Sequence, residues 1–167
     1  MDGRFELAQL NVGRLVAPVS SPQIAGFVAE LAPVNAIADQ APGFVWRLQT
    51  EAGDATSIRP TQDDLFLINM SVWESIDALH AFTYRSDHRT VFARRFEWFE
   101  RADGPNVVLW WVPAGTIPSP DEALGRLRLL AERGPTPDAF GFKSTFPPPD
   151  EDVAVTAALA PAAEATR

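Results

Sequence analysis

His88 and Arg95 stand seven residues apart, about two helical turns, so a helix carrying both would project them from one side. A histidine titrates near neutrality and can take or return a proton, while a guanidinium can steady the negative charge that proton loss creates. The stripe around them is apolar: Val91, Phe92, Phe96 and Phe99, with Trp98 at its margin. Arg94 and Arg101 fall on the opposite side of the same helical projection and are expected to be solvated surface charge. His80 lies at the edge of a different apolar stripe and is expected at the surface.

Further polar groups come from strand alternation, in which successive side chains point to opposite faces. One set is wholly apolar: Ala8, Leu10 and Val12; Phe44, Trp46 and Leu48; Phe66, Ile68, Met70 and Val72. The alternate set is mixed, with Gln9 and Asn11, Arg47 and Gln49, and Asn69, Ser71 and Trp73. A buried polar group without a partner costs about 1–3 kcal/mol. The arrangement that avoids this turns His88, Arg95 and the helix residue Asn35 toward the mixed face with Asn11, Arg47, Asn69 and Ser71. His88 is then the proton acceptor, and Arg95 and Asn69 stabilise a developing oxyanion. Asn11, Asn35, Arg47, Ser71, Trp73 and Trp98 are the expected substrate contacts. Trp110 and Trp111 place one indole on each face, and alternation does not say which one meets the pocket.

The elements that must hold these groups follow from breaker and capping signals. Strands are expected over 5–12, 44–49, 65–73 and 107–112. Ser21-Pro22 opens a helix to about Gln40, with Pro33 inside it. Ser75 caps a short helix to about Tyr84, a longer one runs from about His88 to Arg101, and Ser119-Pro120-Asp121-Glu122 opens a last helix that Gly134-Pro135 ends. Strand, helix, two strands, helix, strand is a ferredoxin-like α+β order: one antiparallel sheet with helices on one face. The apolar face then needs a cover. A second copy is the simplest one; the last helix with the segment around Phe140 and Phe142 is the alternative.

The chain has 167 residues, 14 basic and 22 acidic, for a formal charge of −8. That balance argues against nucleic acid or an anionic membrane as partner, because phosphate binding needs clustered cations. There are no cysteines, which excludes thiol chemistry and disulfides. Two histidines in unlike settings make no metal site, and phosphate-cradling glycine loops and nucleophile elbows are missing. No leader or spanning segment is evident, so a cytoplasmic protein is expected. Residues 1–145 read as one domain. Residues 146–167, with Pro147-Pro148-Pro149, an acidic run and alanine-rich filler, read as a disordered tail.

The stretch Asn69-Met70-Ser71-Val72-Trp73-Glu74-Ser75, running into Ile76-Asp77-Ala78-Leu79, resembles the end of the third strand in dimeric α+β barrel proteins. That superfamily includes antibiotic-biosynthesis and heme-degrading monooxygenases. More closely, Glu6 to about Phe142 is similar to a domain family of unknown function in that group. The similarity is carried by Glu6-Leu7-Ala8-Gln9-Leu10-Asn11, Pro42-Gly43-Phe44-Val45-Trp46-Arg47, Glu97-Trp98-Phe99-Glu100 and Leu109-Trp110-Trp111-Val112-Pro113. The resemblance implies two sheets packed into a barrel, hence a homodimer, with a ligand pocket between sheet and helices. Cofactor-free members hold planar phenolic substrates with Asn, Trp and Arg, which Asn69, Trp73 and Arg95 would supply. In heme-degrading members a first-strand asparagine, matched by Asn11, joins a helix histidine whose place here falls near Phe92 or Ala93. Heme is therefore a third reading.

The leading expectation is an enzyme needing no metal or cofactor, a monooxygenase or an isomerase/cyclase, whose partner is a small aromatic or polyketide-like substrate. Its rival is a noncatalytic ligand-binding dimeric module.

Overall fold

The structure, a computed structural model, describes residues 4–149. Strand β1 (Phe5–Arg14) is central, antiparallel to β3 (Phe66–Trp73) on one side and β4 (Val107–Pro113) on the other. Strand β2 (Phe44–Arg47) pairs with β3, so the sheet runs β2-β3-β1-β4, all antiparallel. This is the ferredoxin-like order. Helices α1 (Ala25–Asp39), α2 (Ile76–Arg85) and α3 (His88–Ala93) connect the strands, and α4 (Pro120–Arg133) follows β4.

The caps form as their residue types dictate. Ser75 Oγ accepts the Ala78 amide at 3.1 Å, and Ser119 Oγ accepts the Glu122 amide at 3.1 Å. The Glu122 carboxylate does not turn back to accept the Ser119 amide. It instead accepts the Trp110 indole N–H at 3.1 Å, which pins α4 to the sheet. Gly134 ends α4 at φ 72°, a conformation that side chains disfavour.

That contact answers the question of the apolar face. Ala8, Leu10, Met70, Val72, Val108 and Trp110 are buried there, with Ala123, Leu124, Leu127 and Leu130 of α4 packed on them. Of the two covers that the sequence allows, α4 occupies this face from within the chain. The reason is arithmetic of side chains. An amphipathic helix that lays several leucines on the sheet recovers about 1.5–3 kcal/mol for each one buried, without the cost of association. Of the segment around Phe140 and Phe142, Ala139 joins that cover, while Phe140 packs with Leu7, Trp73 and Leu109 on the other face.

Two local expectations also change. A bulge in β2 sets Phe44 opposite Trp73 and Trp46 opposite Val72. Phe44 thus leaves the apolar set and meets the Trp73 ring edge-on at 5.4 Å. The glycine before it is required. Gly43 sits at φ 78°, and a Cβ there would lie 2.6 Å from that of Ala78.

The long helix expected from His88 to Arg101 stops at Ala93 and continues as a 3₁₀ turn, Arg95–Glu97. Tertiary pairing overrides helical periodicity here. The Val16 amide donates to the Trp98 carbonyl and the Glu100 amide to the Arg14 carbonyl, both at 2.9 Å, so the chain is pulled out to extend the end of β1. Gly13 makes room for this, because a Cβ on it would meet Phe99 Cδ1 at 2.6 Å. Trp98 is buried with Leu15, Ile24 and Leu67.

Helix α1 buries little of itself, with Ala38 its one buried residue and Val28 exposed. Phe27, Leu31 and Val34 instead look onto open space above the sheet. Phe146, placed by the sequence in the tail, packs on Phe140, and its carbonyl accepts the Trp111 N–H at 2.9 Å. The remainder of that expected tail, from Asp150, lies outside the described residues.

Candidate functional site

Between the mixed sheet face and helices α1–α3 lies a cleft of about 800 Å³. A volume of that order suits a multi-ring small molecule. Every residue singled out as a site candidate lines it: His88, Arg95, Asn69, Asn11, Asn35, Arg47, Ser71, Trp73 and Trp98. Neither Trp110 nor Trp111 does: the first is under α4, the second under the C-terminal segment.

Their polar atoms divide into those already used and those left over. Arg47 grips Asp39 through two nitrogens at 2.7 and 3.2 Å and the Gly53 carbonyl at 2.8 Å. The Asn35 amide donates to the same carbonyl at 3.3 Å. These two residues fasten α1, β2 and the following loop to one another, so their donors are spent on the scaffold. Trp73 is fully buried, edge-on to Phe44 and stacked on Phe82 at 5.1 Å. Its indole N–H donates to Ser71 Oγ at 2.8 Å, and Ser71 in turn donates to Gln9 Oε1 at 2.8 Å.

Asn11 and Asn69 face each other across β1 and β3, and among the described residues neither side chain has a hydrogen-bond partner. Arg95 spends one N–H on the Phe92 carbonyl at 2.9 Å and rests on the Phe92 and Phe96 rings, 4.2 and 4.3 Å from their centroids. No carboxylate among the described residues pairs with it. Arg101 is exposed, as expected, and from there it borders the cleft and lies over Phe96 at 4.4 Å. The helical projection did not bring it to the cleft because it carries the helix past Ala93, where the helix ends. Arg94 does lie outside: it pairs with Glu97 at 3.0 Å and covers Trp98 at 4.9 Å.

His88 opens α3 and stacks on Phe82 at 4.8 Å. Its Nδ1 lies 3.4 Å from the Thr83 carbonyl. A carbonyl only accepts, so that contact places the proton on Nδ1 and leaves Nε2 with its lone pair. Burial lowers the imidazole pKa below the ordinary 6.5, and the Thr83 contact offsets this only in part. A neutral base therefore stands at the cleft wall at pH 7. Around it Phe82, Tyr84, Phe92 and Phe142 form an aromatic wall.

Gln9 is the residue that sequence reasoning passed over. Alternation put it on the mixed face, in register with Ser71, without marking it among the site candidates. Among the described residues, no cluster of three or more His, Asp or Glu side chains is placed to hold a metal ion. No helix there is long and apolar enough to cross a membrane.

Residues 6–156 match the family described as a domain of unknown function (DUF3291). The chain belongs to this family. No curated protein matches it. Solved structures similar to this family member include SnoaB, a cofactor-independent oxygenase from Streptomyces nogalater, at 16% identity and TM-score 0.45, covering 67% of this chain and 95% of that one. A monooxygenase from the gene ActVA-Orf6 of Streptomyces coelicolor, in complex with the ligand nanaomycin D, is 19% identical at TM-score 0.39, covering 71% and 96%. The NE2512 protein of unknown function from Nitrosomonas europaea is 13% identical at TM-score 0.44, covering 70% and 96%. Those activities and that ligand belong to those proteins.

The two adjacent arginines offer a direct check on which side of the chain matters. Arg95→Ala is expected to weaken ligand binding about tenfold, the loss of one charge-assisted contact, while Arg94→Ala changes it less than about twofold. Calorimetric titration of both variants with a hydroxynaphthoic acid reads the difference; equal effects would place the ligand elsewhere.

Proposed function

We propose that this protein is a small-molecule enzyme that uses side chains alone, abstracting a proton from a flat hydroxylated aromatic or polyketide-like substrate. The observation that carries this reading is His88: neutral, with Nε2 free, at the wall of an aromatic-lined cleft whose floor bears unpaired amides. His88 Nε2 takes the proton of an activated phenol or of a C–H beside a carbonyl. The negative charge that remains on the substrate oxygen meets Asn69 and Arg95, donors held ready before the charge appears.

Two fates are open to that anion. Return of the proton from His88 to a different carbon of the conjugated system gives isomerisation, and attack on an internal carbonyl, with the proton returned to the new alkoxide, gives cyclisation. Reaction with dioxygen gives oxygenation, in which a ring CH₂ becomes C=O and the second oxygen atom leaves as water with both hydrogens. That balance needs no external reductant.

The test is hydrogen exchange. A panel of hydroxylated aromatic ketones, incubated with the protein in D₂O under argon, is expected to gain deuterium at the acidic carbon well above the buffer rate. Admitting oxygen then separates the two fates by product mass. Ligand binding with no exchange across the panel would mark the cleft as a noncatalytic binding module.

A further inference from the structure

The floor of the cleft carries a donor whose direction is set by its neighbours. An indole N–H can only donate, so Ser71 Oγ accepts from Trp73 and keeps its own hydrogen to donate. That hydrogen goes to the Gln9 amide oxygen, Oε1, at 2.8 Å. Gln9 Nε2 consequently points away from the chain of bonds, and no group among the described residues receives it. The residue is only 8% exposed, and that exposure is to the cleft. Its two N–H donors are therefore open to the cleft and available to a ligand acceptor.

Its surroundings narrow the ligand. Asn11 lies two residues along the same strand, about 7 Å away, and Asn69 sits across from Asn11. Both asparagines can turn to offer either a donor or an acceptor. Gln9 turns less freely, because turning its amide gives up the Ser71 O–H bond to Oε1. It therefore discriminates where they do not.

We propose that Gln9 is a specificity-determining donor that receives a ligand carbonyl oxygen, so that the cleft selects quinone- or ketone-bearing ring systems over simple phenols. Ser71 and Trp73 are positioning residues that hold the amide in this sense. The inference names a substrate class for the reading given under Proposed function, and rests on that reading for the ring system alone.

The experiment is a calorimetric comparison of two ligands of equal ring size, 5-hydroxy-1,4-naphthoquinone and 1-naphthol. The absence of cysteine removes the thiols with which a quinone would otherwise react. Wild type is expected to bind the quinone about tenfold more tightly, the worth of one well-placed hydrogen bond to a buried donor. Gln9→Met keeps the side-chain length but removes the donor, and should cut quinone affinity about tenfold while moving naphthol less than about threefold. Ser71→Ala leaves the amide free to turn and should bring the two ligands to within about threefold of each other; it decides the matter if Gln9→Met fails to fold. Equal loss of both ligands in Gln9→Met, no preference in wild type, or no quinone binding at millimolar concentration each overturns the proposal. Since calorimetry reads binding and not turnover, selectivity is measured independently of catalysis, and a failure of exchange chemistry leaves this result standing.

Discussion

Met70→Asp is expected to unfold the protein. Met70 is 1% exposed, opposite Leu10 in the sheet and beneath α4. An aspartate there would carry its carboxylate into a cluster of Ala8, Leu10, Ile68, Val72 and Trp110, with no cation in that cluster to pair with it. The cost is several kcal/mol whether the group stays charged or takes up a proton, against a total stability of about 5–15 kcal/mol for a domain of this kind. Urea denaturation should show the cooperative transition lost or moved to very low denaturant. Met70→Leu, which preserves volume and polarity, should cost less than about 1.5 kcal/mol. The alternative outcome is equally sharp. A Met70→Asp chain that keeps its fold while its sedimenting mass halves would mean that this face meets a second copy after all, with α4 displaced.

His88→Gln is expected to reduce the rate of substrate proton exchange at least 100-fold, the usual worth of a positioned base, while ligand affinity changes little. The pH profile carries the sign. Neutral imidazole is the reactive form, so the rate should rise with pH and level off with a midpoint below 6.5, since burial holds the His88 pKa under that value. A midpoint at or above 6.5 would assign the base elsewhere. The same shift bears on stability. A histidine whose folded pKa is depressed binds more protons when unfolded, so its contribution is fully present above the unfolded pKa and is lost as pH falls toward the folded one. Wild type should therefore lose up to about 1.4 kcal/mol per pH unit in that window from this one group, and His88→Gln should flatten that part of the curve.

Much of this was open to inspection in the chain itself. Period-two alternation sorted Leu7, Gln9, Asn11, Asn69, Ser71 and Trp73 onto one face and Ala8, Leu10, Met70 and Val72 onto the other, as the pairing register bears out. Local signals placed the caps at Ser75 and Ser119 and the stop at Gly134, because each depends on a hydrogen bond or torsion spanning only a few residues. Strand order followed from element order. These are short-range constraints, and a single sequence states them directly.

Long-range competition decided the rest. Periodicity alone carries a helix from His88 through Arg101, yet the edge of β1 offers Trp98 and Glu100 better partners, and the ladder wins. Arg101, still exposed, borders the cleft as a result. Whether α4 or another molecule covers the apolar face could not be read from α4's own leucines, which would suit either; only the Trp110–Glu122 bond and the packed cluster show where the helix lies. Gln9 makes the same point at the site. Its identity and its face were plain from the sequence, but the direction of its amide follows from the Ser71 hydroxyl on the neighbouring strand, a contact that exists only once β1 and β3 are paired.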